Sequence, residues 1–246
     1  MKFQSPLEPA LLIKRYKRFL ADVRTKNNDL ITVHCANTGS LMGLSEPGQK
    51  VWIENSNNPS RKLQFSWKLN ELSPDKFVVV DTGLANKIVK EALNENSIVE
   101  LSNYSSFFSE VPYGTNSRID FLLEFNDKPK CYLEVKSVTL SRRKKIAEFP
   151  DSVTSRGAKH LIELEKMVKS GFRAVMLFLI CRNDCEVFDI SDDLDPFYAK
   201  CFSKASEAGV EVLCYDTVIN KEIIKIGRRI PLCDALINRM SFNDAG

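Results

Sequence analysis

The stretch "SRIDFLLEFNDKPKCYLEVKS" (residues 117–137) places Asp120 inside one apolar, strand-like run, and Glu134 and Lys136 inside the next. Side chains of a strand alternate between its two faces, so parity sorts the stretch. Odd positions give Ile119, Phe121, Leu123 and Phe125, then Cys131, Leu133 and Val135, a continuous apolar face. Even positions give Asp120, Leu122 and Glu124, then Tyr132, Glu134 and Lys136. A hairpin turned by "NDKPK" and centred on Lys128 sets Asp120 opposite Lys136 and diagonal to Glu134. A slip of one residue breaks the apolar face, which constrains the register. All three polar groups then share one face.

Two carboxylates that converge repel each other unless a cation lies between them, and oxygen ligands suit Mg²⁺ or Mn²⁺. A cation there polarises a phosphoryl oxygen and acidifies a water, while the Lys136 ammonium orients that water or offsets developing charge. The plainer reading is a cross-strand ion pair of Asp120 with Lys136 on a solvated face. A second carboxylate and two basic clusters favour the metal site.

Those clusters stand out against a nearly balanced chain, with 35 Lys and Arg and 32 Asp and Glu in 246 residues. Lys14, Arg15, Lys17 and Arg18 crowd the N-terminal part, and "SRRKK" (residues 141–145) carries Arg142 and Arg143 just after the opening stretch. Such clusters neutralise backbone phosphates and release counterions, which points to a DNA partner, with RNA the alternative. No apolar run approaches the roughly 18 residues that a membrane-spanning helix needs. The first twenty residues lack the continuous apolar core and small-residue cleavage site of a secretory leader. A cytoplasmic protein without a membrane partner is expected, and nothing in the sequence implies a protein partner. The seven cysteines have no CxxC pairing, and those in apolar runs read as buried thiols.

Residues 1–80 read as β-rich, with five short strands separated by "KNND", "EPGQ" and "NSNNPSR", which suits an OB-like barrel. From residue 81 to residue 246 helical and strand patterns alternate. "TGLANKIVKEALNEN" carries Leu84, Ile88, Val89, Ala92 and Leu93 at helical spacing, and strands are expected at "SIVELSNY" and "FFSEVPYG". A second helix is expected across "TSRGAKHLIELEKMVKSG", and "FRAVMLFLI" reads as a strand covered on both faces. The expected fold is α/β (α+β): a barrel followed by a mixed sheet flanked by helices.

Asp, a hairpin, then Glu-x-Lys on the next strand resembles the core signature of the PD-(D/E)xK nuclease superfamily. The resemblance implies a helix before the sheet that often supplies another acidic ligand. Glu91 is the matching acid for a metal set of Asp120, Glu134 and Glu91, with Glu95 a competitor that spacing alone does not exclude. One departure is that "SRI" rather than proline precedes Asp120. Over nearly the whole chain, "LIKRYKRFLADV", "TVHCANTGSLMG", "DTGLANKIVKEAL", "YLEVKSVTL", "FPDSVTSRGAKHL" and "GVEVLCYD" are similar to the sugar fermentation stimulation protein A (SfsA) family. That likeness implies an OB-like domain joined to a nuclease-like domain, and DNA binding linked to sugar (maltose) metabolism genes. Two readings stay open: a metal-dependent nuclease using Asp120, Glu134 and Lys136, and a non-catalytic DNA-binding regulator.

Arg156, Lys159 and His160, near the start of the second helix, are candidates for phosphate contacts, as is "ANTGS" (residues 36–40). Tyr16, Phe19, Trp52 and Trp67 alternate in a way that suits either core packing or base stacking. His34, among Ile31, Val33 and Cys35, reads as a structural histidine.

Overall fold

The computed structural model describes residues 1–241; the last five residues of the expected second domain, 242–246, lie outside it. The barrel has six strands rather than five: β1 (Leu7–Tyr16), β2 (Leu20–Thr25), β3 (Leu30–Cys35), β4 (Lys50–Asn55), β5 (Phe65–Ser73) and β6 (Lys76–Val79). The extra strand arises because "RYKRFLADVRT" is two strands, folded back where Lys17 and Arg18 adopt φ of 49° and 63°. Sheet order is β3-β2-β1-β4-β5-β6, and a short β3–β5 pairing, His34 with Ser66 and Cys35 with Trp67, closes the ring. Trp67 is fully buried inside it, and Trp52 is buried with its indole N–H donating to Glu71 at 2.8 Å. Both tryptophans are therefore core residues, unavailable to bases.

After the barrel, α1 (Gly83–Asn94) buries Leu84, Ala85, Ile88, Val89, Ala92 and Leu93, the expected stripe. "SIVELSNY" is not a strand. Val99–Leu101 forms a single 3-10 turn, which turns Ile98 and Leu101 together into the core while Val99 is 75% exposed. Next come β7 (Ser106–Tyr113), β8 (Ser117–Glu124), β9 (Cys131–Val138), β10 (Ile146–Phe149) and α2 (Ser155–Lys169). The chain continues through β11 (Arg173–Ile180), β12 (Val187–Ile190), α3 (Pro196–Glu207), β13 (Glu211–Ile219), β14 (Ile224–Arg229) and α4 (Asp234–Ser241). Helix starts follow side-chain capping: Thr154 Oγ1 accepts from the Gly157 N–H, and Asp195 accepts from Tyr198 ahead of Pro196.

The second sheet runs β14-β13-β11-β9-β8-β7, parallel through β9, β11 and β13 and antiparallel at both edges. On one face α1 packs with Val175, Leu177 and Leu179 of β11; on the other α2 and α3 pack with Ala174, Met176, Phe178 and Ile180. Burial of both faces explains the uninterrupted apolar run of β11. Leu7, Trp52, Leu69, Phe77 and Val79 of the barrel join the α1-side core, so the two halves share one apolar interior. Six cysteines are buried and all seven are free thiols.

Candidate active site

A cleft of about 780 Å³ opens between the barrel and the second sheet. The barrel supplies Arg18 and the segment Asn37, Thr38 and Gly39; the sheet supplies Asp120, Glu134 and Lys136; Arg156 and His160 enter from α2. The 37–40 loop closes on the second domain: the Ser40 hydroxyl donates to the Asp151 carbonyl at 2.9 Å. A β-carbon at residue 39 would stand 2.3 Å from an Asp151 carboxylate oxygen, which is why glycine occupies it. The "ANTGS" segment thus lies at the cleft.

The hairpin register differs from the expected one. Phe121 pairs with Leu133, Leu122 with Tyr132 and Leu123 with Cys131, so the centre is Asp127, not Lys128. Extended by one residue, that register would set position 120 across from Glu134 rather than Lys136. Glu124, the last residue of β8, pairs with Ser106 of β7; its carboxylate accepts from Lys130 at 2.6 Å and its carbonyl from the Ser105 N–H at 2.7 Å. A shift of two residues keeps parity, so Phe121, Leu123, Cys131, Leu133 and Val135 still face α1. Ile119 does not follow them; it packs on the α2 side, so the alternation breaks at Asp120.

Each carboxylate is held by fixed donors. Asp120 accepts from the Asn86 amide and from the Val135 backbone N–H, both at 2.7 Å. Glu134, 2% exposed, accepts at Oε1 from Lys136 Nζ at 2.7 Å and from His160 Nδ1. A carboxylate at that position places the imidazole proton on Nδ1, leaving Nε2 to accept from Arg156 Nε at 3.5 Å. The other Glu134 oxygen, Oε2, is buried and has no partner. Burial, then the negative charge of Glu134, pushes Asp120 up to about 6. Burial also acts to raise Glu134, but the His160 hydrogen bond and the Lys136 charge outweigh it and hold this carboxyl below its usual range. Behind the pair the phenols of Tyr113 and Tyr198 are buried without partners, and burial plus the Glu134 charge raises the pKa of both.

The donor set fits a divalent cation of the Mg²⁺ type. Two carboxylates face each other, one raised by the other's charge, and a buried oxygen lacks a partner. No cluster of three or more His, Cys, Asp or Glu side chains converges among the described residues. A Mg²⁺ site does not need one, because that ion keeps several waters and uses one or two carboxylates.

Glu91 is not part of this site. Its carboxylate pairs with the Met1 ammonium, and neither Glu91 nor Glu95 lines the cleft. At 3.6 residues per turn, Glu91 lies about 140° around α1 from Asn86, the helix residue that does reach Asp120. Sequence reasoning missed Asn86 because it looked for an acid there.

The basic candidates separate sharply. Lys17 and Arg18 are exposed at the β1–β2 turn and form no ion pair among the described residues, and Arg18 lines the cleft. Lys14, also exposed, pairs with Asp22 at 3.5 Å. Arg15 is a loop clamp, donating to the carbonyls of Arg18, Asn37 and Gly39 at 3.1, 2.7 and 2.9 Å. Arg142 pairs with Glu148 and Asp193, and Arg143 with Glu148 and Asp189, so the "SRRKK" arginines are neutralised within the fold. Arg156 is exposed at the cleft. Lys159 is spent on the Thr115 carbonyl at 2.8 Å and lies outside the cleft lining. His160, expected to meet phosphate, is buried against Glu134 instead.

Residues 13–80 match the SfsA N-terminal OB domain, and residues 83–223 match the sugar fermentation stimulation protein RE domain. The chain belongs to the SfsA family. A sugar fermentation stimulation protein homolog of Ruegeria sp. is 53% identical over 94% of this chain and 100% of its own length. One from Roseobacter denitrificans is 50% identical, covering 94% and 99%. The structure of Pyrococcus furiosus SfsA in complex with Ca²⁺ superposes with a TM-score of 0.84 at 26% identity, covering 95% of this chain and 99% of that one. The SfsA-family barrel and mixed sheet are thus the architecture found here. Among the described residues no helix is long and apolar enough to cross a membrane.

Proposed function

We propose that this protein is a nucleic-acid-binding, Mg²⁺- or Mn²⁺-dependent phosphodiesterase, a nuclease acting on DNA in the cytoplasm, with RNA as the alternative substrate. The observation that carries this reading is Glu134: a buried carboxylate opposite Asp120, with one oxygen fixed and the other without a partner. A fully buried acid is costly unless it is paired or binds a cation, and this one is only half satisfied. The Ca²⁺ complex of the Pyrococcus furiosus relative supports a hard divalent cation in the family.

Asp120 and Glu134 would hold the cation, which when bound polarises a phosphoryl oxygen and acidifies a water. The remaining tasks fall to the chain itself. His160 and Lys136 pin Glu134 Oε1, so Oε2 is the oxygen left to bind. Asn86 and the Val135 N–H orient Asp120. An ammonium has three donors, and Lys136 directs one to Glu134, leaving others for a water or a non-bridging phosphate oxygen. Arg18 and Arg156, on opposite walls, offset backbone charge.

A second reading, the non-catalytic DNA-binding regulator of sugar (maltose) metabolism genes, draws on the engagement of Lys136 with Glu134. Incubation with single- and double-stranded DNA and RNA, with Mn²⁺, Mg²⁺ or chelator, separates the two. Cation-dependent cleavage that falls about 10²–10³-fold in both Asp120→Asn and Lys136→Ala, with binding retained, is expected. Binding without cleavage of any substrate by the wild-type protein would leave the regulator.

A further inference from the structure

Phe19 is an aromatic ring left half-exposed by the fold. It follows Lys17 and Arg18 in the β1–β2 turn and is 47% exposed. Its ring lies parallel to that of His34, within 6° and with centroids 6.4 Å apart. The backbone fixes this pairing, since the Phe19 carbonyl accepts from Cys35 N at 2.8 Å, beside His34. Burial and the nearby Arg61 charge lower the His34 pKa, which disfavours the charged form of the ring. Phe19 is thus a half-exposed ring that follows two cations with no ion pair among the described residues, next to the Arg18 that lines the cleft.

We infer that the Phe19–His34 platform stacks an unpaired base beside Arg18, so that the protein binds single-stranded nucleic acid in preference to duplex. Every base has a π-face, and aromatic stacking is insensitive to sequence. In a duplex each base is already stacked on its neighbours, and an external ring offers it nothing. Lys17 and Arg18 meet the flanking phosphates of either form, so they give affinity without discriminating. The exposed ring is what distinguishes the two. This inference rests on the nucleic-acid reading of the cleft and names its substrate class.

The test is fluorescence anisotropy in chelator at fixed salt, with labelled 12-nucleotide single-stranded DNA, the RNA of the same sequence, and the DNA duplex. Wild-type protein is expected to bind single strands more tightly. Phe19→Ala should weaken single-strand binding on the order of tenfold, with little change on duplex, and Phe19→Trp should restore it. Phe108→Ala, which removes an equally exposed ring on β7, should change neither. Loss on the RNA as well as the DNA supports the inference, because the base is common to both. Equal affinity for single strand and duplex, or no effect of Phe19→Ala, overturns it. Chelator removes cleavage from the readout, so a strand preference without cleavage would sustain the platform while ending the nuclease reading. Cleavage of duplex without strand preference would do the reverse.

Discussion

The β1–β2 turn and the β9–β10 loop carry the same sequence signal, two adjacent cations beside a strand, and the fold gives them opposite fates. Lys17 and Arg18 project into solvent at the cleft, with no acid within ion-pair distance among the described residues. Arg142 and Arg143 lie over Glu148, which is almost fully buried, and reach Asp193 and Asp189 beyond it. The difference is supplied partly by the next strand, β10, which carries Glu148, and partly by distant chain, the segment at and just after β12, which carries the aspartates. A basic run therefore keeps its charge unpaired only where topology brings no acid to it.

The strongest way to break this contrast is to remove the arginines. The double variant Arg142→Ala, Arg143→Ala leaves Glu148 buried without its guanidinium partners, keeping only the residue-142 backbone N–H, and urea denaturation should show a loss of about 3 kcal/mol. Its DNA affinity, measured where it remains folded, should stay within about twofold of wild type. The mirror variant, Lys17→Ala with Arg18→Ala, should weaken single-strand binding about tenfold and reduce the salt slope by about 1–2. Its stability should lie within about 0.5 kcal/mol of wild type. If the two variants exchange phenotypes, the contrast fails.

A smaller effect sharpens the turn's own chemistry. His34 is held below its ordinary pKa by burial first, then by Arg61 and Lys68, against an opposing pull from Asp81. The folded state thus disfavours protonation. This contribution to stability is full above the unfolded histidine value near 6.5 and is lost as pH falls below it towards the folded pKa. His34→Gln should flatten the wild-type fall in stability below about pH 6.5, as read from denaturation midpoints.

Parity placed Glu134 and Lys136 together on the α2 side because strand alternation is local and a two-residue register error leaves it intact; at Asp120 the alternation breaks, so parity does not account for its place beside them. The covered strand at residues 173–180 was equally legible, since apolar residues at every position need cover on both faces. The partners of the carboxylates were not legible. Asn86 arrives from a helix more than thirty residues earlier and His160 from one twenty-six residues beyond Glu134; both contacts are polar, with no periodic signature. The hairpin at Lys17–Arg18 was hidden because a lysine and an arginine occupy left-handed backbone, where glycine or asparagine is the usual marker.

By itself the sequence determined the barrel and mixed-sheet architecture and the apolar face of the central hairpin, which follow from periodicity and residue type over short spans. Tertiary structure alone decided which cations stay free, which oxygen of Glu134 lacks a partner, and that Glu91 faces the N-terminus rather than the cleft. Charge and hydrogen-bond satisfaction depend on what the rest of the chain brings within about 4 Å, and a local pattern does not encode that distance.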